Sequence, residues 1–329
     1  MLVKAPDSEV IRDAVMLAGR APSLHNSQPW RWVVQGAGLQ LWADPRRMMH
    51  ATDRTGRELI LSCGAVLDHL RVAMAAAGWD CATTRLPDPS EPDLLATVEF
   101  RPSEAVTEAQ RQRAAAIGRR RTDRLPFAAP PAWPSLEPAL RRAVLPYDVM
   151  LDVVADDARP ALAEASALTE QLRRFDTSYV SELRWWTSPF ESDASHVPDS
   201  ALVSGPEAAA VDVARAFPPA AEDPHRCSVD HDRSKILVLS TRHDDAPLDV
   251  LRCGEALSAV LLECTVAGVA TCTLTHMTEM AMSRDTIAQL TGTAGTPQLL
   301  IRVGASTLNG RHIESTARRL VTEVLEFRG

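Results

Sequence analysis

Two stretches decide how this chain is read: residues 61–82, LSCGAVLDHLRVAMAAAGWDCA, and residues 251–273, LRCGEALSAVLLECTVAGVATCT. Both run Leu-x-Cys-Gly-(Ala/Glu), continue as an apolar pattern of helical period, and end on Ala-Gly and a Cys. Cys63 and Cys253 stand 190 positions apart, and Cys81 and Cys272 stand 191 apart. Register kept over a whole helix points to a distant internal repeat. Two unrelated Ala/Leu core helices would account poorly for the paired Cys-Gly.

Strand-like runs surround both helices. Residues 30–35 and 39–43 flank the turn Gly36-Ala37-Gly38, and residues 94–102 follow the first helix. Residues 148–155 and 235–241 precede the second helix, and a linking helix (283–290) and a strand (297–304) follow it. Helical patterns also cover 8–19, 107–118 and 160–174. Each half mixes helices with a few strands around one apolar helix. That is an α+β pattern without regular β-α alternation. The halves are read as 1–112 and 113–329, with an insert at about 176–232 rich in Pro, Ser, Asp and aromatics. Tyr179, Trp185, Trp186, Phe190 and Phe217 make that insert lid-like, a segment that packs on something.

Composition narrows the function. The 329 residues are 45% hydrophobic and 24% charged, as in a soluble globular protein. A net charge of -8 disfavours nucleic acid as a partner. Basic charge is almost all Arg, since Lys occurs only at Lys4 and Lys235. No signal-type segment opens the sequence, and residues 256–274, the most apolar run, contain Glu263. The expectation is a cytoplasmic protein without a membrane span. The cysteines, Cys63, Cys81, Cys227, Cys253, Cys264 and Cys272, form no C-x-x-C pair and read as buried thiols, with no metal site.

Two polar strings carry the chemistry. Residues 21–30, APSLHNSQPW, place Ser23, Asn26 and Gln28 in a short loop between helix and strand. Amides that both donate and accept suit a heteroaromatic ring with alternating N–H and C=O groups. Residues 118–127, GRRRTDRLPF, set four Arg within six positions beside a Thr hydroxyl. Such a cluster can grip a phosphate dianion by charge-assisted bonds.

The first string resembles the flavin-ring loop of nitroreductase-family flavoproteins, and Arg-Arg-Thr-x-Arg at 120–124 resembles their phosphate motif. Over nearly its full length the chain is most similar to the family's two-repeat branch, typified by the mycobacterial Acg proteins. The resemblance implies a nitroreductase-like α+β fold whose fused halves mimic the family homodimer. The first half keeps only the ring loop (21–30) and the second only the phosphate motif (119–124), so a fused pseudo-dimer with one FMN per chain is implied, and such a pseudo-dimer can be a monomer. Carried over residue by residue, Pro22, Ser23, Asn26 and Gln28 belong to the ring loop. Arg120, Arg121, Thr122 and Arg124 belong to the phosphate motif. Thr273, Leu274, Thr275 and His276 occupy the segment that passes the flavin N5 edge, without the family's usual Pro and Gly. Arg318 and Arg319 are candidates for the final Arg element.

The activity so implied is an FMN-dependent oxidoreductase taking hydride from NAD(P)H and passing it to a nitro or quinone acceptor, with no catalytic side chain required. No G-x-G-x-x-G motif offers a separate nicotinamide site. The alternative is FMN storage or sequestration beneath the insert, with little turnover. A third reading is a stress protein that retains only the scaffold.

Overall fold

The computed structural model describes residues 5–187, 197, 201–221, 229–308 and 313–328. Phe190 and Cys227 of the insert lie outside these described residues. In chain order the helices and strands are α1 (Ser8–Ala18), β1 (Trp30–Gln35), β2 (Gly38–Ala43), α2 (Arg57–Ala76), β3 (Trp79–Arg85), β4 (Leu94–Pro102), α3 (Glu108–Arg119), α4 (Trp133–Val144), β5 (Met150–Val153), α5 (Arg159–Arg173), α6 (Thr177–Trp186), α7 (Gly205–Ala209), β6 (Lys235–Thr241), α8 (Pro247–Val266), β7 (Ala270–Leu274), α9 (Ala281–Thr291), β8 (Thr296–Gly304) and β9 (Leu325–Arg328). They gather into two compact units: the described residues of 1–120, 246–262 and 317–329, and those of 121–245 and 263–316.

The first unit is built on a sheet of order β3-β4-β2-β1-β9, antiparallel except for the parallel pair β1/β9. Gly36, at φ +59°, closes the tight β1–β2 hairpin, and Gln35 faces Gly38 across it. Trp30, Trp32, Leu39 and Leu41 point into the core formed with α1 and α2. Among the described residues α2 alone is long and apolar enough to cross a membrane, and most of that stretch is buried. It is the core helix of this unit.

The section of α8 within this unit crosses α2 at two glycines. A Cβ on Gly64 would collide with the Leu251 carbonyl oxygen and come within 2.8 Å of the Gly254 Cα. A Cβ on Gly254 would collide with the Leu61 carbonyl oxygen and come within 2.9 Å of the Gly64 Cα. Cys63-Gly64 and Cys253-Gly254 therefore sit where the two helices press backbone on backbone. Beside them, Ser258 donates to Asp68, His69 Nδ1 lies 2.8 Å from Ser258 Oγ, and Arg85 forks onto the buried Glu255 at 2.6 and 2.9 Å.

The second unit has an antiparallel sheet of order β5-β6-β8-β7. Phe127, Leu162, Val213, Val238, Cys272, Met277, Ile287 and Leu300 form its core, with α5 and α9 packed together. Arg302 of β8 is fully buried. It stacks on Phe127, 4.6 Å from the ring centroid, and pairs with Asp232 at 2.6 Å. Burial by itself would raise the Asp232 carboxyl, but Arg302 and hydrogen bonds from Ser234 and the Phe127 N–H hold it below the usual carboxylate range.

The described part of the insert contains two capped helices. Asp176 caps α6 by accepting from the Tyr179 N–H, and Ser204 with Glu207 forms a capping box on α7. Of the described cysteines, Cys63, Cys253, Cys264 and Cys272 are buried, Cys81 is half-buried, and all five are free thiols. Burial pushes Cys253 and Cys264 up to about 12. Among the described residues no group of His, Cys, Asp and Glu could hold a metal ion.

Candidate functional site

In the first unit the loop after α1 is held in an unusual backbone. His25, Asn26 and Gln28 have φ of 47°, 64° and 50°, in the left-handed region that L residues enter at a cost. The loop is fastened at both ends. Ser23 Oγ accepts from the Gln28 N–H at 3.0 Å, and Gln28 Nε2 donates to the Asn26 carbonyl at 3.2 Å. The C-terminal segment supplies the rest. Asn26 Nδ2 donates to the Ala317 carbonyl at 3.2 Å, and the Arg319 N–H donates to Gln28 Oε1 at 2.9 Å. The Arg319 guanidinium reaches the Gln28 carbonyl at 3.2 Å. Both ends of the Gln28 amide are thus engaged by the chain itself, and Gln28 shapes the loop.

Arg318 and Arg120 act on the end of α1. Arg318 Nε donates to the Gly19 carbonyl at 3.0 Å, and Arg120 donates to the Arg20 carbonyl at 3.3 Å. Cations at a helix C-terminus satisfy its open carbonyls and meet its negative dipole end. The first unit therefore brings together Pro22, Ser23, Asn26, Gln28, Arg120, Arg318 and Arg319.

In the second unit the rest of the phosphate motif lies along β7. Thr122 bridges Thr271 in parallel, and the Asp123 N–H donates to the Thr271 carbonyl at 3.0 Å. Asp123 is buried; it accepts from the Leu125 N–H and from Ser306 Oγ, both at 3.0 Å. This pairing sets Arg121, Thr122 and Arg124 beside the strand that leads into Thr273, Leu274, Thr275 and His276. Burial lowers both Arg121 and Arg124 from the ordinary arginine value. Arg124 Nη1 donates to the Ala201 carbonyl at 3.0 Å, and its guanidinium lies 4.8 Å from the Phe217 ring centroid. Among the described residues no carboxylate pairs with it.

The segment after β7 is tied to the insert. Arg215 donates to Thr275 Oγ1 at 3.0 Å and to the Tyr179 hydroxyl at 2.9 Å, and it pairs with the buried Glu279. Arg173 reaches Glu279 at 3.1 Å. Burial pushes the Tyr179 phenol up to about 12. His276 is fully buried, with Nε2 2.8 Å from Ser166 Oγ and Nδ1 without a hydrogen-bond partner among the described residues. Burial, and then Arg215 and Arg173, hold it well below the ordinary histidine range, so it is a neutral imidazole. Of the other insert aromatics, Trp186 is buried and Trp185 is partly exposed, with the rings edge to face at 4.8 Å. Sequence reasoning missed Arg215, Glu279 and Ser166. Their only signal is long-range pairing, which no local pattern encodes.

The chain belongs to the nitroreductase family. It is 52% identical to the Mycobacterium tuberculosis protein called "Putative NAD(P)H nitroreductase acg", over 98% of this chain and 96% of that protein. A second Mycobacterium tuberculosis "Putative NAD(P)H nitroreductase" is 38% identical over 98% of this chain and 92% of that protein. The crystal structure of a "putative nitroreductase" from Anabaena variabilis covers 92% of this chain and 90% of its own, with a TM-score of 0.51 at 8% identity. That likeness shows the nitroreductase fold. No family model matches the sequence.

Proposed function

We propose that this protein is an FMN-dependent oxidoreductase that takes hydride from NAD(P)H and passes it to a nitro or quinone-type acceptor. The observation that carries this reading is Arg124, a half-buried guanidinium whose hydrogen bond goes to a carbonyl and not to a carboxylate. A guanidinium with no carboxylate paired directly to it, in a partly desolvated place, suits a phosphate dianion. The left-handed loop is the second feature that fits. Strained backbone persists where the surroundings over-determine it, as at ligand sites.

Bound FMN would supply the redox chemistry. The chain's own groups bind and orient. In this reading Arg121, Thr122 and Arg124 would hold the phosphate, and Arg120, Arg318 and Arg319 are assigned to cofactor binding by the family resemblance alone. Ser23 and Asn26 present polar groups to the ring, while Pro22 and Gln28 keep the loop in shape. Of residues 273–276, the half-buried Thr273 and Thr275 would lie along the flavin's N5 edge, while Leu274 and His276 are buried and support the segment from within. His276, being neutral, has no proton to lose at neutral pH and serves packing and hydrogen bonding. The test is the visible spectrum of the purified protein, followed by NADPH under anaerobic conditions. A yellow protein that bleaches on NADPH and recolours with a quinone supports the reading. A protein that stays colourless after incubation with FMN overturns it.

The second reading is sequestration, in which bound FMN turns over little. It is favoured by the insert holding Arg124 through Ala201 and Phe217 and holding Thr275 through Arg215. Fast bleaching of the intact chain rejects it. We also infer that the chain is a fused pseudo-dimer whose halves, 1–112 and 113–329, stand in for two subunits. The reciprocal contact of Gly64 and Gly254 supports this, because isologous interfaces pair equivalent residues. A monomer in sedimentation is the expected outcome.

A further inference from the structure

The described part of the insert contains a small apolar cluster, Val197, Ala201 and Leu202, with Phe217 and Ala220 packed against it. The Ala220 N–H donates to the Val203 carbonyl at 2.9 Å, which closes the segment on itself. Two members of this one cluster meet Arg124: Phe217 through its ring face and Ala201 through its carbonyl.

We infer that Phe217 is a positioning residue for the cofactor phosphate: its ring and the Ala201 carbonyl fix the Arg124 guanidinium before the phosphate arrives. The inference rests on the assignment of the FMN phosphate to Arg124. Pre-organisation is what the contact supplies. An arginine side chain has many rotamers, and ordering it on binding costs affinity. A guanidinium is planar with five N–H donors. Stacking on Phe217 fixes its plane, and the bond to Ala201 fixes its rotation within that plane. One donor is used, and four remain in a set orientation for phosphate oxygens. The contact with the ring also compensates the cation for lost water without neutralising it, as a carboxylate would. The insert thereby gives the site selectivity for a phosphorylated flavin over an unphosphorylated one.

The experiment titrates FMN and riboflavin against flavin-free full-length protein by quenching of flavin fluorescence. Arg124→Ala, Phe217→Leu and Phe217→Tyr are compared with the unsubstituted chain. Phe217→Leu is expected to weaken FMN about three- to tenfold and leave riboflavin unchanged. Phe217→Tyr, which keeps the ring face, restores FMN affinity. Equal weakening of both flavins by Phe217→Leu would mean a merely structural role and overturns the inference. So does an unchanged FMN affinity in Phe217→Leu where Arg124→Ala does lower the FMN preference. If Arg124→Ala leaves the preference for FMN over riboflavin intact, the phosphate assignment itself fails. Should Phe217→Leu not fold, Phe217→Met removes the ring at similar volume and is read by the same two ratios.

Discussion

Gly64 of α2 and Gly254 of α8 touch at the helix crossing, each lying where a side chain would strike the carbonyl of the leucine three residues before the other. The contact is backbone on backbone, so there is no flexible side chain to move aside. Gly64→Ala and Gly254→Ala are each expected to destabilise the protein by about 3 kcal/mol or more, the upper end for overpacking. The two should cost similar amounts, because the contact is reciprocal. Gly118→Ala is the control. Nothing lies within 4 Å of a Cβ there, and its place in α3 favours alanine. Urea denaturation reads all three, and a tolerated Gly64→Ala would refute the crossing.

His69 and His276 are both fully buried and both held well below the ordinary histidine value. For His69 burial is the larger cause, and Arg120 and Arg318 add to it. The sign follows from proton counting. Below about pH 6.5 the unfolded chain protonates these imidazoles while the folded chain does not. Stability contributed by each is therefore complete above that pH and is lost as the pH falls. At pH 5.5 the loss is about 1.4 kcal/mol for each histidine. Glu170 and Glu255, raised by burial, titrate in the opposite sense. The decisive measurement is thus a difference. The pair of substitutions His69→Gln and His276→Gln should flatten the fall in urea midpoint between pH 7.5 and 5.5. An identical fall in the variant would mean that neither histidine is the cause.

Arg215 joins three groups that are distant in sequence: Tyr179, Thr275 and Glu279. Removing one partner of a buried ion pair costs about 3–5 kcal/mol. Arg173 stays on Glu279 in an Arg215→Met variant, so the loss should fall near the lower figure. A double-mutant cycle with Tyr179→Phe should show a coupling of about 0.5–3 kcal/mol. Strict additivity in thermal or urea unfolding would show that the two side chains act apart.

What the sequence disclosed was what is local. The Gly-Ala-Gly hairpin, the two apolar helices and their Cys-Gly positions are written in period, turn residues and repetition. The Cys-Gly positions of the two apolar helices fall at their crossing, where neither glycine has room for a Cβ. Other elements leave no such mark. β9 is four residues long, two of them charged, and it becomes a strand only by pairing with Trp32–Gln35 some 290 residues earlier. β3 alternates half-buried and exposed residues after its first, which reads as loop until β4 is set beside it. The site divides in the same way. The loop at Ser23–Gln28 and the Arg cluster were legible as strings, while Arg124's neighbours Ala201 and Phe217 were not, because proximity over 77 residues or more is a property of the packed chain.

Asn26 offers the sharpest check on the ring loop. Its φ of 64° is a conformation that asparagine tolerates better than alanine, and its amide holds the Ala317 carbonyl. Asn26→Ala removes the amide and adds strain; Asn26→Gly removes the amide and relieves it. The two variants should therefore differ in stability by about 1–2 kcal/mol, with alanine the weaker. They should agree in flavin binding, each losing about 1 kcal/mol, or about fivefold in Kd. Because the ring is common to both ligands, FMN and riboflavin should weaken alike, unlike the phosphate-selective loss from Arg124→Ala. Isothermal titration with both flavins separates these outcomes. If Asn26→Gly binds both as tightly as the parent chain, the amide has no part in holding the ring, and the loop's strained backbone serves its ties to Ala317 and Arg319 alone.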